Sequence, residues 1–230
     1  MPQNKKPGAA PWSYSRLKNF ETCPRQYQHL KVLKDFIEPE SDAMRYGNEF
    51  HKACEDFIAS DAPLPPKFKF AEKFMQRIAK MRGKKLPEQK YGVTRDHKPC
   101  GFFDNRKVWY RGIADLVVIN GKKAKVGDYK TGRNTKYADV GQLELMALSV
   151  FAHQPEIEEV DAALLFPIAR EKIGRTYTRD DIEHLWEKWE KKFERMEKAH
   201  ETGVFNAKPS GLCKKHCIVV SCEHNGANNW

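Results

Sequence analysis

Hydrophobic positions in this chain alternate between a helical and a strand-like period in a definite order. Between Ala43 and Ala59, Phe50, Cys54, Phe57 and Ile58 recur on one face of a 3.6-residue repeat, which predicts an amphipathic helix. The Pro-rich stretch 61–67 ends it, and Phe70, Phe74 and Ile78 repeat the pattern from Phe68 to Met81. Tyr91 to Asp96, Val108 to Ile119 and Ala124 to Lys130 predict strands. A helix follows over Ala138 to Ala152, then an alternating strand over Glu159 to Phe166 with a hairpin partner over Lys172 to Tyr177. Thr178, Asp180 and Asp181 cap a long charged helix that stops near Gly203. Near the start, Ser13 and Ser15 precede a short amphipathic segment, Arg16 to Glu21. Cys23-Pro24 and a second helical piece through Tyr27 come next, and Lys31 to Ile37 reads as extended. Helices flanking a small central sheet make an α/β or α+β domain.

The sharpest local signal is Asn120-Gly121, set between two apolar β-branched runs within Arg111 to Gly132 (R-G-I-A-D-L-V-V-I-N-G-K-K-A-K-V-G-D-Y-K-T-G). Asn-Gly favours the positive φ values of a two-residue hairpin turn. With these two as loop residues, Ile119 pairs with Lys122 and Ile113 lies opposite Asp128. Strand side chains alternate with period two, so Asp115, Asp128 and Lys130 share one face. Two carboxylates suit Mg²⁺ or Mn²⁺, hard cations that leave positions for water and phosphate. A lysine beside them can orient or deprotonate an attacking water, or stabilise a pentavalent phosphorane. The same residues also fit a salt-bridge ladder on a sheet surface.

At 230 residues with 40% hydrophobic positions, the chain is long enough for one ordinary domain with a real core. A formal charge of +10 favours a polyanionic partner bound in a salt-sensitive way. No apolar run is long enough to span a bilayer, and residues 1–8 lack a signal-peptide apolar stretch. The cytosol is therefore the expected compartment, with no membrane partner. There the six cysteines are expected to be reduced or metal-bound. Cys213, Cys217 and Cys222 crowd a short polar tail (G-L-C-K-K-H-C-I-V-V-S-C-E-H), which argues for metal ligation, although a fourth ligand is missing locally. Cys54 sits on the apolar helix face and Cys100 follows a proline in a loop.

His51 lies in Y-G-N-E-F-H-K-A-C-E, with Glu55 one helical turn later. A neutral imidazole is an acceptable ligand for Mn²⁺, and a surface His–Glu pair is the plain alternative. Five segments now resemble, in order, the RecB-like branch of the PD-(D/E)XK nuclease superfamily, which includes CRISPR-associated RecB-like exonucleases and phage recombination exonucleases. They are Ser13 to Tyr27 (S-x-S-x-L…F…C-P-x-x-Y), Gly47 to Glu55 (G-x-x-x-H-x-x-x-E), Arg111 to Asp115, Asp128 to Gly132 (D-Y-K-T-G) and Gln142 to Met146. Together they cover most of the chain. The resemblance implies a restriction-endonuclease-like core with a central mixed sheet. It implies metal ligation by His51, Asp115 and Asp128, with the backbone carbonyl of Tyr129 as a further ligand. Lys130 would be the catalytic lysine, and Gln142 would position water or the substrate strand. The family's Tyr in the last motif is Met146 here; Met cannot donate a hydrogen bond, so the motif is degenerate or Tyr137 substitutes.

The iron–sulfur members of that family join a Cys-Pro cysteine near the start to three near the end. That adds Cys23 to Cys213, Cys217 and Cys222. The family spacing is C-x₂-C-x₅-C; here it is C-x₃-C-x₄-C, with His216 at the middle position, so either Cys217 or His216 is the ligand. Four thiolates suit a [4Fe-4S] cluster or structural Zn²⁺, and three with His favour zinc. The expected organisation is a disordered basic arm at 1–10, a nuclease domain at 11–205 and a Cys-rich tail at 206–230 packing on the N-terminal segment. Arg111, Arg133, Lys136 and Tyr137 are candidates for DNA contact. The functional expectation is a Mg²⁺- or Mn²⁺-dependent DNA nuclease. It is expected to be an exonuclease on single- or double-stranded ends, in recombination, repair or phage replication. Recombination or replication proteins and further copies of the chain are candidate partners. The alternative is a catalytically inactive DNA-binding or assembly module with the same fold. A dead relative would tend to lose Asp115, Asp128 or Lys130, and all three are present. A zinc deaminase is excluded by the missing His-x-Glu and Pro-Cys-x-x-Cys.

Overall fold

The computed structural model describes residues 11–136 and 138–228; the basic arm at 1–10 and Tyr137 lie outside the described residues. Ser13 is extended, and its hydroxyl accepts from the Arg16 N–H to start α1 (Tyr14–Thr22). Pro24 opens α2 (Pro24–Tyr27), where its missing N–H costs nothing. The segment expected to extend beyond it instead winds into a wide π-type turn, Gln28–Leu33, ended by Lys34 at φ 58°. Residues 31–35 are exposed, so no sheet face rewards an extended form there. Ser41 caps α3 (Asp42–Ser60), which buries Phe50, Ala53 and Cys54. The helix expected over Phe68 to Met81 is two pieces. Pro65 and Pro66 lead into a 3-10 segment, Pro66–Ala71, before α4 (Glu72–Ala79). The tighter turn changes the phase of the apolar face: Phe68, Met75 and Ile78 are buried, while Phe70 is 44% exposed.

β-branched and aromatic runs between 84 and 178 form one six-stranded sheet. In chain order the strands are β1 (Lys84–Val93), β2 (Pro99–Cys100), β3 (Tyr110–Asn120), β4 (Lys123–Tyr129), β5 (Glu159–Phe166) and β6 (Glu171–Thr178). Their spatial order is β2-β1-β3-β4-β5-β6. Only β4 and β5 are parallel, joined by the crossover helix α5 (Gly141–His153). β1 begins seven residues before the expected start, through the polar Lys84 to Lys90 and across Pro87. Proline is tolerated because β2 pairs only with Gly92 and Val93, leaving β1 unpaired on that side at Pro87.

The β3–β4 register differs from the expected one. Asn120 pairs with Lys123, so Gly121 (φ 59°) and Lys122 make the loop. Ile119 faces Ala124 rather than Lys122, and Leu116 faces Gly127. A slip of two residues preserves the faces, and it brings Asp128 level with Asp115 instead of Ile113.

α3 and α4 pack Phe50, Cys54, Phe68, Met75 and Ile78 against Leu116, Val118 and Tyr129. α5 is buried from Leu143 through Phe151; its Ser149 meets the Tyr110 hydroxyl and its His153 the Tyr91 ring. Tyr110 therefore faces α5 while Leu116 and Val118 face α3 and α4. The alternation of β3 is interrupted between them, around Asp115.

These elements belong to a compact unit, Ser41–Trp186. A second unit combines the described residues up to Glu40 with those from Glu187 onward. The boundary falls within α6 (Ile182–Thr202), which follows a capping box made by Thr178 and Asp181. The second unit has its own core of Trp12, Leu17, Phe20, Tyr27, Trp189, Phe193, Met196 and Phe205. There the Tyr27 hydroxyl lies 3.1 Å from both Arg16 Nη2 and His200 Nε2. Its tail carries one short helix, α7 (Leu212–Lys215). No helix among the described residues is long and apolar enough to cross a membrane.

Candidate active site

The β3–β4 ladder stops at Leu116 and Gly127, and the strands part beyond it. Asp115 fills the gap: its Oδ2 accepts the Tyr129 N–H at 2.6 Å. The next amide, Lys130 N–H, turns to Leu165 O on β5 at 2.8 Å. The Tyr129 ring anchors this end of β4 through edge contacts with Phe50, Phe74 and His51. Phe50 in turn fixes its neighbour on α3, so that His51 Nδ1 lies 3.2 Å from Asp115 Oδ1.

Asp128, Lys130 and Gln142 close a triangle beside this pair. Lys130 Nζ is 2.6 Å from Asp128 Oδ2 and 3.2 Å from Gln142 Oε1, and Gln142 Nε2 donates to Asp128 Oδ1. Both aspartates are nearly buried, at 9% and 6% exposure. Burial and the adjacent Asp115 push the Asp128 carboxyl above its ordinary pKa, against the pull of Lys130. Burial alone would lower the pKa of His51, but the hydrogen bond and charge of Asp115, aided by Asp128, hold it above the usual value.

Glu88 is a member that sequence reasoning missed. It sits on β1 at a left-handed φ of 46°, where the β1–β3 ladder passes from Pro87↔Leu116 to Gln89↔Ala114. One ligand atom from each of His51, Glu88 and Asp115 lies within 4.8 Å of the others. Burial first, then the charges of Asp115 and Glu55, raise its pKa. The signal was masked because K-K-L-P-E-Q-K is polar and broken by proline. Only the strand register brings its glutamate level with Asp115. His51, Glu88 and Asp115 thus converge with Asp128 nearby, and burial, reinforced by the charge of Asp115, raises the carboxyls of Glu88 and Asp128. The excess negative charge and the oxygen-rich donor set fit a hard divalent cation.

The other expected residues are placed as follows. Glu55 binds Lys52 at 3.1 Å, and Met146 is buried. Arg133 and Lys136 are exposed, and Tyr137 lies outside the described residues. Arg111 donates to Asn105 Oδ1 at 2.7 Å.

In the unit formed by the chain ends, Cys23, Cys213, Cys217 and Cys222 line one small enclosure. The Lys208 N–H donates to Cys23 Sγ (3.5 Å), the Ser210 N–H to Cys213 Sγ (3.4 Å) and Gln26 Nε2 to Cys217 Sγ (3.7 Å). The buried Asn225 shapes the tail by donating to the carbonyls of Cys217 and Val219 at 2.9 and 3.1 Å. His216 is exposed and outside the enclosure's lining.

A candidate exonuclease from Eubacterium rectale shares the fold with a TM-score of 0.55 at 14% identity, covering 94% of this chain and 88% of its own. A further structure, SSO0001, has a TM-score of 0.41 at 15% identity, covering 94% and 87%. No curated protein matches the chain. The family model of the PD-(D/E)XK nuclease superfamily matches residues 11–222 and so spans the parted strands, both aspartates, the lysine and all four enclosure cysteines. This chain belongs to the PD-(D/E)XK nuclease superfamily.

Proposed function

We propose that the protein is a Mg²⁺- or Mn²⁺-dependent DNA exonuclease of the RecB-like branch, working in the cytosol on DNA ends in recombination, repair or phage replication. The observation that carries this reading is the convergence of Asp115, Asp128, Lys130 and Gln142 beside His51 where β3 and β4 part. His51, Glu88, Asp115 and Asp128 would hold the divalent metal, with the Tyr129 carbonyl as a further ligand. When bound, the metal neutralises charge on the phosphodiester and lowers the pKa of a water.

The chain's own groups do the rest. Lys130 is held by Asp128 and Gln142 with its side chain 35% exposed, so its ammonium can meet an incoming phosphate oxygen or hold the attacking water. Gln142 bridges Lys130 and Asp128 and fixes both. The Asp115–Tyr129 bond locks the strand that carries Lys130. For the enclosure, we infer a [4Fe-4S] cluster on Cys23, Cys213, Cys217 and Cys222. N–H donors reach three of the sulfurs, a pattern that would stabilise thiolate charge and tune a cluster's potential. The exposure of His216 supports Cys217 as the fourth ligand.

Digestion of linear, circular and single-stranded DNA with Mg²⁺ or Mn²⁺ tests the assignment. Linear DNA should be degraded and covalently closed circles spared. Lys130→Ala should cut the rate by about 100-fold or more with the fold intact. An unchanged rate in that variant sinks the mechanism, and cleavage of closed circles removes the exonuclease assignment.

A further inference from the structure

The sheet beside the candidate active site ends in an exposed patch that the metal chemistry does not use. Lys90 on β1 pairs with Ile113 on β3, and Gly92 pairs with Arg111. Lys90, Ile113 and Arg111 therefore share one face of the ladder. Tyr91, Val93 and Tyr110, on the other face, are buried. The loop after β2 folds two aromatic rings onto these cations. Lys90 Nζ lies 5.7 Å from the centre of the Phe103 ring, and the Arg111 guanidinium 5.2 Å from that of Phe102. The two rings meet edge to face at 5.0 Å.

Phe103 is 73% exposed and Ile113 41%. A large ring left this open has little to gain from the fold itself. Lys90 and Arg111 set two cations against the rings of this patch, which suits a polyanion. The patch is also close to the chemistry. Lys90 is two residues beyond Glu88, and Ile113 two residues before Asp115. That is about 7 Å along each strand.

We propose that Phe103, with Lys90 and Arg111, forms a platform for an unpaired DNA strand leading into the active site. The rings stack on bases and the two cations hold phosphates. Bases inside an intact duplex offer no free face to Phe103, so the platform takes single strands and frayed ends rather than closed duplex. This rests on the nuclease reading for its position, but its test reads binding and not cleavage.

The measurement is fluorescence anisotropy with Lys130→Ala as the parent, using a short labelled poly(dT) strand and a blunt duplex. Adding Phe103→Ala should weaken poly(dT) binding about tenfold, change duplex binding less than about twofold, and be rescued by Phe103→Trp. Phe103 is exposed, so the variant should melt with its parent. Equal poly(dT) affinity in parent and variant overturns the platform, as does an equal loss on duplex, a parent that fails to bind poly(dT), or failure of Trp to rescue. If the native protein cleaves no DNA yet these differences appear, the nuclease assignment fails and the platform stands.

Discussion

At the residue scale, Glu88 shows how much a site depends on backbone that sequence patterns do not reveal. Its φ of 46° is a left-handed conformation that a glutamate adopts only at a cost. The return is a carboxylate delivered beside His51 and Asp115. Glu88→Gln keeps the shape and removes the charge. Mn²⁺ affinity, measured by calorimetry on the apo protein, should fall about tenfold or more, with the melting temperature held or raised because the half-buried charge and its repulsion by Asp115 are both removed. Lys130→Ala should not weaken Mn²⁺ binding, since it removes a competing cation from Asp128. Unchanged affinity in Glu88→Gln would exclude it from the ligand set. Cys54 contrasts with it: burial pushes its thiol up to about 12, and it behaves as part of the α3 core.

At the element scale, α3 joins stability to chemistry. Phe50 is fully buried among Phe68, Tyr129 and their neighbours, and His51 is the next residue. Phe50→Ala should cost about 3–5 kcal/mol in denaturant unfolding and weaken Mn²⁺ binding as α3 loses its seat. A loss below about 1 kcal/mol would mean that α3 is not held this way.

The same elements show what the sequence could disclose. The hairpin was legible because Asn-Gly and two β-branched runs are local signals, and α3 because its apolar period is long. The exact pairing was not, since it depended on which residues the turn used: Gly121 and Lys122, with Asn120 closing the ladder. The two-residue slip brought Asp128 level with Asp115, and Lys130 meets Asp128 directly. β1 was half hidden, because a strand with Pro87 and a run of lysines is permitted only where its neighbour strand is too short to reach. Lys31 to Ile37 met no sheet to join: its first three residues finish the π-type turn, and the rest carries no helix or strand.

At the scale of the whole molecule, the chain's chemistry is divided between its two units. Every candidate catalytic residue lies within Ser41–Trp186, and all four enclosure cysteines lie in the unit built from the two ends. Cys23 and the tail cysteines are far apart in sequence, so a bound cluster would close a very long loop and hold the tail by ligation as well as by packing. The tail from 206 to 228 has little regular structure beyond α7 and a terminal 3-10 turn, and most of it is exposed. Anaerobically purified protein should therefore carry iron and absorb in the visible. Cys217→Ser should lose the metal and become open to limited proteolysis between 206 and 228. Cys100→Ser, outside the enclosure, should leave both properties unchanged, and His216→Ala should retain the metal. A colourless protein with stoichiometric zinc would replace the cluster by a structural zinc site. A tail equally protease-resistant in Cys217→Ser would show that packing around Asn225 and Val219, not ligation, holds it in place.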